Sequence, residues 1–127
     1  MLQKKALRII TFSSYSEQSS PLFKDLNVVK LSDVITFQLA VFMYTFCNNL
    51  LPSVFDPYFN SVRMLHNYNT RLSSKMTHVI PKVRTNYGTF NIRFQGAKVW
   101  NDINDGIKLL PLKIFTKNLN LIVLEKY

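Results

Sequence analysis

A chain of 127 residues with 47% hydrophobic content, ten Phe and six Tyr has material for a core and does not read as a disordered segment. Its 16 Lys and Arg against 7 Asp and Glu give a formal charge of +9, which favours polyanionic partners and says nothing about fold. Cys47 is the one cysteine, so an internal disulfide and a secreted disulfide scaffold are both excluded.

In chain order, the N-terminus MLQKKALRII has basic residues without a following apolar run, so it does not read as a signal peptide. Residues 2–11 predict a first helix, with Leu2, Ala6, Ile9 and Ile10 on one face and Lys4, Lys5 and Arg8 mainly away from it. Residues 13–20 form a polar connector. Ser20 as N-cap and Pro21 at the first helical position start a short helix running to about Leu26.

A central helix is expected from Ser32, a second N-cap candidate, with Asp33 at the positive end of the dipole. Its stripe is Ile35, Leu39, Phe42, Phe46 and Leu50, broadened by Val34, Val41 and Met43 until the helix is apolar nearly all round. That pattern marks an element buried on several sides. The run from Val34 ends at Asn48 and Asn49, short of the roughly 20 apolar residues a spanning helix needs, so no membrane partner is expected. Within this run Cys47 reads as a buried, inert thiol. Pro52 stops the helix, and Asp56-Pro57 marks a turn.

Residues 60–72 are polar and irregular. Residues 78–84 read as a strand with Pro81 inside, residues 89–93 as a second, and Thr85-Asn86-Tyr87-Gly88 as the hairpin connection. Pro81 would confine its strand to an edge or a bulge. Residues 94–102 suggest a helix with Ala97 and Trp100 inward, and a last helix from Pro111 carries Leu112, Phe115, Leu119, Ile122 and Val123. The expected fold is therefore mainly α: a small domain of about five helices with one β-hairpin near 78–93. It divides into a helical half (1–59), a basic loop and hairpin (60–93) and C-terminal helices (94–127).

Residues 57–101 contain no Asp or Glu. They carry Arg63, Arg71, Lys75, Lys82, Arg84, Arg93 and Lys98, plus His66 and His78, interleaved with Tyr58, Tyr68, Tyr87, Phe90, Phe94 and Trp100. Cations that neutralise phosphates beside rings that stack on bases suit a single-strand or hybrid-duplex surface. The alternative is that the rings are core and the cations a solvated rim. Taken singly, each ring is expected in the core, whereas the whole acid-free segment favours polyanion contact. We therefore take the seven cations, with Tyr68 and Tyr87, as candidate nucleic-acid contacts. Asn67 to Arg71 offers amide, hydroxyl and guanidinium groups on a loop, or equally an Asn-rich turn bonded to itself.

No catalytic constellation is present. Two-metal nucleotidyl transfer needs clustered carboxylates, whereas Glu17, Asp25, Asp33, Asp56, Asp102, Asp105 and Glu125 include no adjacent pair. Asp102 and Asp105 lie in a turn-like stretch that favours capping roles. His66 and His78 have no Cys or acid at metal-ligand spacing, so neither a metal nor a cofactor is expected.

The segment order is LQKKALRII at 2–10, SPLFKDLNVVKLSD at 20–33, NNLLPSVF at 48–55, HNYNTR at 66–71 and KVRTNYGTFNIRFQGAKVWNDI at 82–103. In this order the chain resembles, over nearly its whole length, the region after the polymerase domain in LINE-type (non-LTR, jockey-like) retrotransposon reverse transcriptases. It departs at 101–106, where such tails carry Leu-Pro after the Asn, which leaves the start of the last helix open. The resemblance implies a parent RNA-directed DNA polymerase whose aspartate pair lies upstream, with Met1 an internal methionine and no active-site residue in this chain. It implies RNA or template–primer as partner, the upstream polymerase domain as another, and residence in the nucleus. Gly96 and Trp100 then read as packing residues. A second reading makes the chain a structural module whose central helix and Trp100 pack on upstream domains, leaving apolar surface exposed in isolation.

Overall fold

The computed structural model describes residues 2–65, 68–71 and 75–127. Helix α3 (Leu31–Cys47) is the axis on which α5 (Ile92–Asp102) and α7 (Leu112–Glu125) pack. Helices α1 (Leu2–Ile10) and α2 (Ser19–Asp25) pair with each other, and α2 also touches α7. Short helices α4 (Val62–Leu65) and α6 (Asp105–Lys108) and two 3-10 turns, Ser53–Tyr58 and Tyr87–Phe90, fill the connections. The described residues are thus mainly helical.

The core cluster joins the middle of the chain to its C-terminal part: Ala40, Met43 and Tyr44 of α3, Phe59 just after the first 3-10 turn, Ala97 and Trp100 of α5, and Phe115 and Leu119 of α7. Trp100, Phe23, Phe115 and Met43 are fully buried, and truncating a ring such as Trp100 costs about 3–5 kcal/mol. Trp100 therefore belongs to this chain's own core, not to a docking surface on another domain. Gly96 permits the close approach of α5 to α3, since a Cβ there would lie 3.0 Å from Met43 Sδ and 3.1 Å from the Phe59 ring.

Helix α3 begins one residue before Ser32, and its N-terminus is satisfied from a distance. The Gln3 side chain accepts from Leu31 N–H at 2.9 Å, and the Tyr127 hydroxyl accepts from Lys30 N–H at 2.8 Å. The same hydroxyl donates to Asp33 at 2.6 Å. Remote side chains thus replace the local Ser32 cap. The buried stripe is Ala40, Met43 and Tyr44, with Phe37, Phe42 and Phe46 partly buried. Ile35 and Leu50, expected in it, are exposed. The helix is less enclosed than its composition implied, because Leu31, Val34 and Ile35 also face outward.

Helix α1 differs in the same way. Its one buried residue is Leu7, while Leu2, Ile9 and Ile10 are exposed. Helix α2 starts at Ser19 with Gln18 as its N-cap residue, so Ser20 and Pro21 lie inside its first turn.

Three helices end in Schellman motifs without glycine. After α1 the left-handed residue is Phe12 (φ 54°), with Ser13 N–H donating to Arg8 C=O at 2.9 Å. After α2 it is Asn27 (φ 54°), with Val28 N–H on Phe23 C=O at 2.8 Å. After α3 it is Asn49 (φ 55°), with Leu50 N–H on Thr45 C=O at 2.9 Å. Asn49, not Pro52, stops the central helix.

The expected hairpin at 78–93 is absent from the described residues, for two local reasons. Residues 77–79 pair instead with 60–62: Val62 N–H donates to Thr77 C=O at 3.1 Å and Val79 N–H to Asn60 C=O at 2.8 Å, around an isolated Ser61–His78 bridge. Residues 92–93 belong to α5, whose N-cap is Asn91, its side chain accepting from Arg93 N–H at 2.9 Å. The helix α7 begins just after Pro111, as expected.

Candidate nucleic-acid interface

All nine candidate contacts are exposed: Arg63, Arg71, Lys75, Lys82, Arg84, Arg93, Lys98, Tyr68 and Tyr87. Exposure of Tyr68, Tyr87 and Phe90 (82%, 87% and 77%) corrects the expectation that each ring is core. Trp100 alone of the interleaved rings is fully buried, while Tyr58 and Phe94 are half-buried. His66 and Asn67 of the HNYNTR stretch lie outside the described residues, so the Asn67–Arg71 loop is described from Tyr68 onward.

The fold groups these residues unevenly. Val83 packs on Gly88, where a Cβ would lie 2.9 Å from Val83 Cβ, folding the segment with Lys82 and Arg84 onto the 3-10 turn that carries Tyr87 and Phe90. Arg93, one residue into α5, stacks on the Tyr58 ring with its guanidinium carbon 4.4 Å from the centroid. Lys98 is five residues further along α5, about 140° around the helix, so it belongs to a different side. Arg63 and Lys75 meet elsewhere, in a cleft of ≈ 350 Å³ whose lining also includes Ser61, Met76, His78 and Trp100.

Beneath that cleft lies a polar cluster that the sequence did not disclose. Asn101 bonds both backbone groups of His78: Oδ1 accepts from the N–H and Nδ2 donates to the carbonyl, each at 2.8 Å. Lys108 is buried, with its ammonium 2.7 Å from Asp105 Oδ1, 3.3 Å from the Met76 carbonyl and 5.2 Å from the Trp100 ring centroid. Asp105 is therefore a counter-ion and not a cap; capping of α6 falls to Asn104, which accepts from Gly106 N–H at 2.9 Å. The hydrogen bond from Lys108 holds the Asp105 carboxyl below its ordinary pKa. The one available sequence signal was the three-residue Asp105–Lys108 spacing.

Cys47 is exposed as a residue, contrary to its expected burial, yet its sulfur sits 3.2 Å from His78 Nε2. Burial pushes the thiol up to about 11, against the pull of Lys108. The thiol is therefore protonated at neutral pH, and it shares one hydrogen bond with Nε2 whose donor is set by the ring tautomer. Burial lowers the His78 pKa, the nearby Asn60 carbonyl opposes that shift, and Lys108 adds to it. A neutral thiol–imidazole pair is a poor nucleophile, since the thiolate is the reactive form.

Among the described residues no group of three or more His, Cys, Asp or Glu is placed to hold a metal ion, and no helix is long and apolar enough to cross a membrane. What the described residues define is a small helical domain whose exposed cations and aromatic rings fall in several separate groups. No family model, curated protein or solved structure matches the chain.

Proposed function

We propose that this chain is a non-catalytic nucleic-acid-binding module, the tail of a LINE-type retrotransposon reverse transcriptase that follows the polymerase domain. The observation that carries the proposal is the acid-free stretch 57–101, whose seven Lys and Arg are all exposed. No carboxylate interrupts the stretch itself, which suits its cations to a phosphate backbone. Exposed Tyr68, Tyr87 and Phe90 supply faces on which unpaired bases stack. RNA or a template–primer duplex is the ligand class, and the chemistry of polymerisation belongs to the upstream domain.

The test is equilibrium binding of the whole chain to a fluorescent single-stranded RNA and to an RNA–DNA hybrid at low salt. Saturable binding that weakens steeply with added salt is expected. Absence of binding at low salt overturns the proposal.

One observation favours a second reading, an interaction module that docks on the polymerase domain. Helix α1 and its C-terminal cap expose Leu2, Ile9, Ile10 and Phe12, an apolar surface left uncovered among the described residues. On that reading the isolated chain self-associates. A monodisperse monomer at high concentration counts against it.

A further inference from the structure

We propose that helix α1 and the turn after it form a docking surface for a bilayer carrying anionic lipid, with α1 lying in the plane of the headgroups. Leu2, Ile9, Ile10 and Phe12 enter the acyl boundary, while Lys5 and Arg8 meet a lipid phosphate. At nine residues α1 is far too short to span a bilayer, and lying flat requires no such length. This surface is separate from residues 57–101, on which the nucleic-acid reading rests.

The first observation is where the apolar side chains stand. At about 100° per residue, Ile9, Leu2, Ala6 and Ile10 follow one another across a single arc of α1 about 100° wide. All four are exposed, and Phe12, just past the helix end, is 96% exposed. The helix is moored along the neighbouring face. Leu7 is its one buried residue, and the Gln3 side chain donates to the Val29 carbonyl and accepts from Leu31 N–H, each at 2.9 Å. The arc therefore points outward from a convex helix, a shape that a lipid plane contacts along its whole length.

The second observation is charge. Residues 2–16 contain Lys4, Lys5 and Arg8 and no Asp or Glu. Lys5 borders the arc about 40° beyond Ile9, and Arg8 follows about 60° further round. Arg8 is fixed in place: its Nε and one Nη donate to the Glu17 carbonyl at 3.1 and 2.7 Å, and its guanidinium carbon lies 5.8 Å from the Tyr15 ring centroid. With Lys5, Ile9, Ser13 and Tyr15 it lines a hollow of ≈ 320 Å³ beside the apolar arc. A held guanidinium, an ammonium and two hydroxyls next to an isoleucine suit a phosphate headgroup whose chains continue past Ile9. Charge also separates the possible occupants. A second copy bound through the same face would set these cations against their own counterparts. A protein partner would need an acidic rim around an apolar groove, whereas an anionic bilayer supplies both layers at fixed depths.

The test is flotation of the full chain with vesicles of phosphatidylcholine alone, or with about 30% phosphatidylserine, in about 0.15 M salt. Saturable binding to the anionic vesicles is expected, at least about tenfold tighter than to the neutral ones. A chain of charge +9 is drawn to any anionic surface, so the deciding variant keeps every charge. Ile9→Gln/Ile10→Gln/Phe12→Gln alters exposed positions and should melt close to the native chain. It should bind the anionic vesicles at least about tenfold more weakly. Lys5→Gln should weaken binding about fivefold, against less than about twofold for Lys82→Gln, which removes the same charge outside the docking surface. Equal binding by the native chain and the triple variant, or equal losses for the two lysine variants, overturns the proposal and leaves plain charge attraction. Absence of vesicle binding by the native chain overturns it as well. Self-association that the triple variant abolishes would then assign the face to a second copy.

Discussion

Asn101 grips the backbone of His78 from both sides, accepting its N–H and donating to its carbonyl at 2.8 Å each, across 23 residues of chain. That pair imitates the two bonds of an antiparallel strand and fixes residues 77–79 against α5, which in turn sets one wall of the basic cleft. Asn101→Ala leaves two half-buried backbone groups without partners, at about 1–3 kcal/mol for the pair. Thermal melts of the variant should show that loss, with faster hydrogen exchange at the His78 amide. A change under about 0.5 kcal/mol would mean that water replaces the amide freely.

Lys108 and Asp105 predict an asymmetry. Removing the carboxylate by Asp105→Asn strands a buried ammonium, whereas Lys108→Met replaces the buried cation with an apolar chain of similar length. Because the Asp105 side chain is 40% exposed, the first change is expected to cost about 2 kcal/mol, less than for a wholly buried pair. The second should cost under about 1 kcal/mol. Denaturant titrations of the two variants compare them directly, and a larger loss for Lys108→Met would contradict the assignment.

Acid sensitivity near neutral pH should trace to His78. Its folded pKa lies below the ordinary 6.5, chiefly through burial. The unfolded chain therefore takes up a proton first, and stability falls as the pH drops below about 6.5 until the folded-state pKa is reached. Asp105 acts in a separate, lower window: its pKa is held below 3.8, so its contribution is lost only as the pH falls below that value. Melting midpoints between about pH 7.5 and 5 should decline for the native chain and decline less for His78→Gln. Equal slopes would remove His78 as the cause.

Phe12 sits in the left-handed region at φ 54° with its side chain 96% exposed, so the ring gives nothing back for the strained backbone. Phe12→Gly should stabilise the chain by about 1 kcal/mol through the α1 cap. A destabilised variant would show that Phe12 is held by contacts to another molecule or copy, and self-association of the native chain would then be the next measurement.

Helices with strong apolar periodicity were legible in the sequence. Pro111 opening α7 and the inward pair Ala97 and Trp100 follow from spacing alone. The caps were not. Ser32 was an obvious local cap, but Gln3 and Tyr127 reach α3 from 28 and 97 residues away, and no local pattern encodes that. The stripe of α3 shifted because two nearly equivalent apolar faces compete, and Gly96 decides between them by letting α5 approach Met43. The hairpin failed because Asn91 works as a helix cap and because residues 77–79 found partners at 60–62. At the candidate interface, exposure of the cations was legible from charge. The clustering of Arg63 with Lys75 beside Trp100 was not, since it depends on the Asn101–His78 clamp.

The account turns on phosphate contact by the acid-free stretch, and the salt dependence of RNA binding tests it most directly. If about four cations face phosphates, log affinity should fall against log salt with a slope of roughly −3 to −4. Replacing Arg71, Lys75, Lys82 and Arg84 together by Ala should flatten that slope markedly while the melting curve stays close to native. An unchanged slope in a folded quadruple variant would contradict the account and assign the basic stretch to solvation alone.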